Sequence, residues 1–263
     1  MLDLTQYKTA PIRGLDMPLM FSEKEHSYRI ADGYEWEDCS QFISVTQLVG
    51  RFEPPFDSDA IAARVARKTG RTVQQVKAEW DYSRDMGTRV HANQESMMNG
   101  QPPKNPPLDD RERGIMTAGW KALRDIAAAG WAPYAAERMV VSLKFRVAGT
   151  IDATFHHGGN DVLLVDWKTN KRINTSASFG ERMLPPLTDV ECCEFSKYSL
   201  QLNMYRRILL EGYYPPTTQF RMMLVHLKPD GEYQPYDIKA GHEIDAILAE
   251  YLIQRLSEEK IPF

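Results

Sequence analysis

The chain has 263 residues, of which 43% are hydrophobic and 26% charged, an ordinary globular composition. A chain of this length buries enough apolar surface to fold without disulfide or metal staples. Its three cysteines form no C-x-x-C motif, which argues against a zinc site or an iron–sulfur cluster. The net charge of −4 argues against a protein coated in nucleic acid, although a local basic channel stays compatible with it.

Hydrophobic periodicity predicts a mixed α/β chain with helices packed on a central sheet. In the first half we expect short strands over 18–50 with a turn at Asp32-Gly33, then helices over about 57–68, 72–84, 88–98 and 109–129. In the second half we expect strands over 139–147, 149–156 and 162–165, followed by an irregular segment over 174–195. That segment is either a mobile loop or a plain connection. After it we expect a helix over 196–210, strands over 220–227 and 233–238, and a last helix from 243.

Membrane and secretory segments are not expected. No apolar run reaches about 18 residues, the length needed to span a bilayer. The sequence also does not open with the charged and then apolar pattern of a secretory signal. We therefore expect a cytoplasmic protein.

The most informative pattern is a carboxylate that follows a buried strand. Val162-Leu-Leu-Val165 runs into Asp166, and Lys168 lies two residues further on the same face of the strand. Asp152 lies on the preceding strand, and a hairpin can place it beside Asp166. The alternative is a surface ion pair at a strand end, since other acid-x-Lys triplets occur near the C-terminus. Those triplets have no second carboxylate at a hairpin's distance upstream.

Two carboxylates held together repel each other, and a divalent cation removes that cost. Hard oxygen ligands suit Mg²⁺ or Mn²⁺. A metal-bound carboxylate pair with a lysine is suited to phosphodiester hydrolysis, because the metal polarises a phosphoryl oxygen and lowers the pKa of a water molecule. The spacing therefore favours a metal-dependent hydrolase of phosphodiesters.

Two polar pairs with helical spacing also stand out. His91 and Glu95 are four residues apart, as are Gln201 and Tyr205, so each pair shares one helix face. Taken alone, each pair also suits a core histidine or a half-buried polar stripe.

The stretch 60–92 is basic, with seven Lys or Arg against three acidic residues. It leads directly into His91 and can line a channel, or it can be an ordinary solvated face. Trp80 and Tyr82 within it can stack on unpaired bases, while Trp80 also suits a core anchor. The candidate DNA contacts are Arg64, Arg67, Lys68, Arg71, Arg89, Lys171 and Arg172.

Together these motifs resemble the PD-(D/E)XK nuclease superfamily in its RecB-like exonuclease branch, as found in stand-alone phage enzymes. The order of the motifs carries the resemblance: Ser44-Val-Thr46, Gly87-Thr-x-x-His91, Gly149-Thr-Ile-Asp152, Asp166-Trp-Lys-Thr169 and Gln201-x-x-x-Tyr205. The resemblance implies a restriction-endonuclease-like fold, with a central mixed β-sheet flanked by helices and an N-terminal helical elaboration over the active site. It implies a single nuclease domain over 1–263, with a helical substrate channel over about 55–130 and a catalytic core over about 137–240.

The resemblance also implies roles for individual residues. Asp152, Asp166, the Trp167 carbonyl and His91 would hold the Mg²⁺ or Mn²⁺ ion or ions. Lys168 would position or activate the attacking water and stabilise charge on the phosphate, while Gln201 and Tyr205 would support the site. Glu95 is a weaker candidate, and so is Glu137, which is expected at the opening of the strand before Asp152.

The function implied is a metal-dependent deoxyribonuclease, an exonuclease acting on DNA ends and accommodating single strands, in the host cytoplasm if phage-encoded. A replication or recombination role is compatible with it. The alternatives are a structure-specific or nicking endonuclease and a non-catalytic DNA-binding recombination accessory protein. The branch members that carry an iron–sulfur cluster need cysteine ligands that this chain lacks.

Overall fold

A computed structural model describes residues 7–12, 18–25, 27–31, 39–241 and 243–258. A mixed sheet runs through the molecule in the strand order β1-β2-β3-β4-β6-β7-β8-β9, and β5 pairs with β6 outside that path. The strands are β1 (Lys8–Ala10), β2 (Leu19–Ser22), β3 (Ser27–Ala31), β4 (Cys39–Ser44), β5 (Ala132–Ser142), β6 (Val147–His157), β7 (Asp161–Lys168), β8 (Gln219–Leu227) and β9 (Tyr233–Ile238). The predicted central mixed sheet flanked by helices is confirmed.

The sheet forks along β6. On one edge β6 pairs with β5 along nearly its whole length. On the other edge its first two residues pair in parallel with β4, and pairing with β7 begins only at Ala153. Residues 149–152 therefore face a gap between β4 and β7. A side chain at Gly149 would place its Cβ 2.6 Å from the Tyr205 ring, so glycine permits the close approach of the helix that carries Tyr205.

Helices cover both faces of the sheet. They are α1 (Val45–Gly50), α2 (Ser58–Thr69), α3 (Val73–Met98), α4 (Asp110–Ala128), α5 (Glu194–Gly212) and α6 (Glu243–Glu258). Leu164 packs with α1, α5 and α6, while its neighbours Leu163 and Val165 pack with α3 and α4. This alternation explains the continuous apolar run of β7, because a strand buried on both faces has no polar side. Among the described residues, no helix combines the length and apolar character needed to cross a lipid bilayer.

The prediction of two helices separated at Gly87 was wrong, because α3 is continuous from Val73 to Met98. Thr88 does not cap a new helix, since its hydroxyl donates to the Arg84 carbonyl one turn earlier, at 3.3 Å. A glycine inside a helix costs about 1 kcal/mol relative to alanine. The fully buried neighbours Met86 and Val90 offset that cost by packing against the sheet.

Three further differences concern connections. The strand expected over 139–147 ends at Ser142, and a turn separates it from β6. The segment 174–193 is not a free connection, because Met183 and Leu187 are buried in the main core and Leu184 N–H donates to the Phe52 carbonyl. The expected turn at Asp32-Gly33 lies outside the described residues.

An ion pair ties α3 to α4. Arg89 Nε lies 2.9 Å from Glu112 Oε1, and the Glu112 side chain is only 1% exposed. Arg89 also donates to the Pro106 carbonyl. Because the buried carboxylate depends on this guanidinium, Arg89 has a structural role.

We expect Arg89→Leu to destabilise the protein by about 3 kcal/mol or more, because it leaves Glu112 charged and buried without its cation. Adding Glu112→Leu to that variant should recover most of the loss, since two apolar residues leave no uncompensated charge. Urea unfolding of the single and double variants measures both effects. An Arg89→Leu variant as stable as the wild type would contradict the structural role.

Candidate active site

The fork brings together side chains from α3, β6 and β7. Asp152 Oδ2 accepts a hydrogen bond from the Trp167 backbone N–H at 2.8 Å. His91 reaches across from α3, with Nε2 3.0 Å from the Trp167 carbonyl oxygen and Nδ1 3.5 Å from Asp152 Oδ1. Three residues predicted from distant motifs therefore meet at the point where β6 and β7 separate.

Glu137 joins this group from β5. It does not open the strand, as the sequence suggested, but lies in the middle of β5, where the register of its neighbours places it opposite Asp152. Its φ of 47° is uncommon for a residue with a side chain, a strain that often marks functional sites. Ligand atoms of His91, Glu137 and Asp152 all lie within 4.8 Å of one another.

Asp166 and Lys168 form a second pair beside this cluster. Asp166 is buried, with Oδ2 2.7 Å from Lys168 Nζ, and its Oδ1 accepts a hydrogen bond from Gln201 Nε2 at 3.1 Å. Gln201 Nε2 also lies 3.4 Å from the Tyr205 hydroxyl. Asp166 thus stands outside the three-residue cluster, and Gln201 of the predicted pair on α5 holds its carboxylate, with Tyr205 behind Gln201.

Sequence reasoning missed Tyr198. Lys168 Nζ lies 4.5 Å from the centre of the Tyr198 ring, within the range of a cation–π contact. The Tyr198 hydroxyl accepts a hydrogen bond from Nδ2 of Asn170, which lies two residues after the end of β7. The available signal was its position three residues before Gln201, which puts both side chains on one face of α5.

A cavity of about 1080 Å³ opens over the cluster. His91, Glu95, Glu137, Gln201 and Tyr205 lie in its wall. Glu95 is one turn beyond His91 but pairs with Lys104 at 3.0 Å and stands outside the His91–Glu137–Asp152 cluster. The cations in the wall are Lys8, Arg84, Lys104, Arg111 and Lys171.

The predicted DNA contacts divide into two groups. Lys171 lies in the cavity wall, and Arg172 follows it in an exposed position. The other predicted contacts do not line this cavity. Arg64 and Lys68 line a separate groove beside Phe56, and Arg67 is exposed. Arg71 and Arg89 form ion pairs, with Glu79 and Glu112 respectively. Lys8, Lys104 and Arg111 also lie in the cavity wall but were not among the predicted contacts, because they come from three separate segments of the sequence.

The two candidate stacking residues also differ. Trp80 lies in the cavity wall and packs against Ala62, Ala66 and Val76, so it both anchors α2 to α3 and faces the cavity. Tyr82 is half-buried against the core beneath α3 and α4, and its hydroxyl donates to Asp109. Tyr82 therefore contributes to packing of α3.

The sequence model of the PD-(D/E)XK nuclease superfamily matches residues 61–263, most of the chain. The chain belongs to the PD-(D/E)XK nuclease superfamily. Membership implies a metal-dependent nuclease with a nucleic-acid substrate. No curated protein sequence matches the chain.

Two solved structures show distant likeness to this nuclease. The first, named SSO0001, is 17% identical, with 81% of this chain and 75% of that chain covered and a TM-score of 0.34. The second, a protein from Eubacterium rectale provisionally named an exonuclease, is 11% identical, with 84% and 79% covered and a TM-score of 0.31.

The pKa values in the nuclease site follow from the crowding of charged side chains at the fork of the sheet. Burial opposes charge on His91, but Asp152 outweighs it and raises the histidine pKa to about 9. Burial raises the pKa of Asp166 to about 6 despite Lys168, and burial together with Asp152 raises that of Glu137 to about 7. Burial also disfavours charge on Lys168, yet Asp166 and Asp152 hold its pKa above the ordinary value. Without a metal, protons therefore compensate the excess carboxylate charge.

We expect the stability of the metal-free nuclease to fall as the pH rises. The ordinary pKa values of Asp166, Glu137 and His91 are 3.8, 4.5 and 6.5, and in the folded protein they rise to about 6, 7 and 9. Each group therefore stabilises the fold at low pH, where it is protonated, and this stabilisation is lost as the pH rises through its folded pKa. A divalent cation replaces these protons, so its stabilising effect should be larger at pH 8.5 than at pH 6.

Thermal melts in EDTA and in Mg²⁺ or Mn²⁺ at both pH values measure this difference. Glu137→Gln should reduce the metal-induced rise in Tm. Glu95→Gln is the matched control, because Glu95 lies in the same cavity outside the cluster. A metal-induced rise equal at both pH values would contradict the proton–metal exchange.

Proposed function

We propose that this protein is a metal-dependent deoxyribonuclease that degrades DNA from its ends and accommodates single strands. One observation carries the proposal: the Asp166–Lys168 pair lies beside the His91–Glu137–Asp152 cluster, at the fork of the sheet and beneath a cavity. A structural ion pair alone would not require two further acidic side chains and a histidine at the same point.

The side chains at the fork fit a divalent cation. Carboxylate oxygens, a backbone carbonyl and one imidazole nitrogen are donors suited to Mn²⁺, and oxygen donors suit Mg²⁺. His91, Asp152 and Glu137 would hold such an ion, with the Trp167 carbonyl and Asp166 beside them. When bound, the ion supplies charge that polarises the phosphate and lowers the pKa of a water molecule.

The chain's own residues support hydrolysis in distinct ways. Lys168 stays protonated because its pKa is raised, so it is suited to stabilise negative charge developing on the phosphate. Gln201 donates to Asp166 and to the Tyr205 hydroxyl, and Tyr198 lies against the lysine ammonium. The hydrogen bond from Trp167 N–H to Asp152 fixes that carboxylate relative to the neighbouring carbonyl.

The cavity supports a strand end as substrate. Its volume of about 1080 Å³ slightly exceeds that of typical small-molecule pockets, about 300–1,000 Å³, and suits a few nucleotides better than a duplex. Arg111 and Lys171 in its wall make no ion pair with any residue in the described part of the chain, which leaves their charge available to phosphates.

The order of the motifs supports a finer assignment to the RecB-like branch and a phage-type enzyme of replication or recombination. In that assignment residues 1–263 form one nuclease domain. Residues of α3 within the proposed channel, such as Trp80 and Arg84, lie in the cavity wall together with His91.

The deciding assay uses end-labelled single- and double-stranded DNA and a closed circle, with Mg²⁺, Mn²⁺ or EDTA. We expect metal-dependent digestion of linear DNA, abolished in Lys168→Ala because the site loses the ammonium group that stabilises charge developing on the phosphate. Lys197→Ala is the control, since Lys197 pairs with Glu53 away from the cavity. Cutting of the circle would indicate an endonuclease, and binding without cleavage under any metal would indicate an accessory protein.

A second prediction concerns salt. If Lys171 contacts a phosphate, Lys171→Gln should reduce the slope of log K against log salt for single-stranded DNA by about 0.7. Arg67→Gln is the matched control, because Arg67 is exposed on α2 and does not line the cavity. Fluorescence anisotropy in EDTA measures both slopes. A slope in Lys171→Gln equal to that of the wild type would remove Lys171 from the substrate path.

A further inference from the structure

The N-terminal strands add a wall to the active site. The strands β1 to β4 precede residue 61, where the match to the superfamily begins, and they join the sheet through the parallel pairing of β4 with β6. They bring Lys8, Phe21, Glu23 and Tyr28 to the cavity, which residues of α3 such as Trp80 and His91 also line. The cavity is therefore bounded partly by residues within the superfamily match and partly by residues that precede it.

Phe21 and Tyr28 form the aromatic part of this wall. They are paired directly across β2 and β3, with ring centres 4.6 Å apart and planes tilted by 31°. Tyr28 is 5% exposed, and its hydroxyl lies 2.8 Å from Thr150 Oγ1. Thr150 precedes Asp152 by two residues on β6, so this contact ties the aromatic pair to the strand that carries the cluster.

The chemistry of this wall suits an unpaired base. Phe21 is half-buried and lies in a cavity whose other wall residues include His91 and Glu137 of the cluster and several cations. Aromatic side chains stack on bases of single strands with little regard to sequence, and each such contact is worth a severalfold change in affinity or more. In a duplex both faces of an internal base are already stacked, so the same ring gains nothing.

We propose that Phe21, supported by Tyr28, is a base-stacking subsite for an unpaired nucleotide close to the scissile phosphate. The inference rests on the proposed nuclease function and adds to it the part of the chain that selects single strands. Lys8 lies on the same wall and pairs with Glu23 at 2.9 Å, so this charged pair adds no net charge and the aromatic rings carry the contact.

The test compares Phe21→Ala, Phe21→Leu and Phe21→Tyr with the wild type on a short single-stranded oligonucleotide. It also uses a series in which one abasic site is placed at each of the first positions from the cleaved end. Phe21→Ala should raise KM by about 5-fold or more with little change in kcat. The leucine variant keeps the apolar packing and should also bind weakly, while the tyrosine variant should restore wild-type KM.

The abasic series separates stacking from folding. At one abasic position the wild type should lose its advantage over Phe21→Ala, because no base remains to stack. Phe56→Ala is the matched control, since Phe56 is 70% exposed and lies outside the cavity. The subsite would be overturned by an unchanged KM in Phe21→Ala. It would also be overturned if the KM difference between Phe21→Ala and the wild type were the same on every abasic strand.

The failure of the proposed function is distinguishable from the failure of the subsite. If the wild type cleaves no strand, the nuclease proposal fails and the subsite is judged by binding alone. The same variants in a Lys168→Ala background, titrated with the same oligonucleotides by fluorescence anisotropy, then report stacking without turnover. Loss of affinity on the intact strand alone supports the subsite, and equal affinity of Phe21→Ala and its parent contradicts it.

Discussion

Repulsion among three carboxylates organises the centre of this molecule. Asp152, Asp166 and Glu137 converge where the sheet opens, and removing such charges from water is costly unless cations or donors compensate them. The structure supplies Lys168 to Asp166, the Trp167 N–H to Asp152, and His91 to the remaining negative charge. Carboxylates gathered at one point without a structural need are characteristic of a site built for a divalent cation.

The fork explains why these groups stay ordered. Beyond Val165 the pairing of β7 with β6 ends, and the backbone N–H of Trp167 would lack a partner on that edge. The Asp152 carboxylate takes the place of the missing strand and accepts that hydrogen bond. Because buried N–H groups are almost always satisfied, the side chain becomes part of the backbone framework. The orientation of one candidate ligand is thus enforced by the hydrogen bonding of the sheet.

Local patterns predicted the centre of the site, and long-range packing determined its surroundings. The pairing of Asp152 with Asp166 follows from one hairpin and an alternating pattern, both visible over fifteen residues of sequence. Glu137 joins them only because β5 lies antiparallel to β6 with Glu137 opposite Asp152, a register that sequence alone does not specify. Lys8 and Phe21 reach the cavity through the pairing of four N-terminal strands, and the expected short strands over 18–50 do not specify that pairing.

The helix that sequence reasoning divided shows why continuity matters here. Trp80, Arg84, Gly87, His91 and Glu95 all lie in the cavity wall, at spacings of three or four residues that form one stripe along α3. A break at Gly87 would uncouple the part of the stripe that faces substrate from the part that carries His91. A Cβ at Gly87 would lie 3.4 Å from Thr169 Oγ1, so this part of α3 lies directly beside the end of β7. The glycine that resembles a helix terminus in sequence instead lies inside one continuous helix that connects the substrate wall to the candidate metal site.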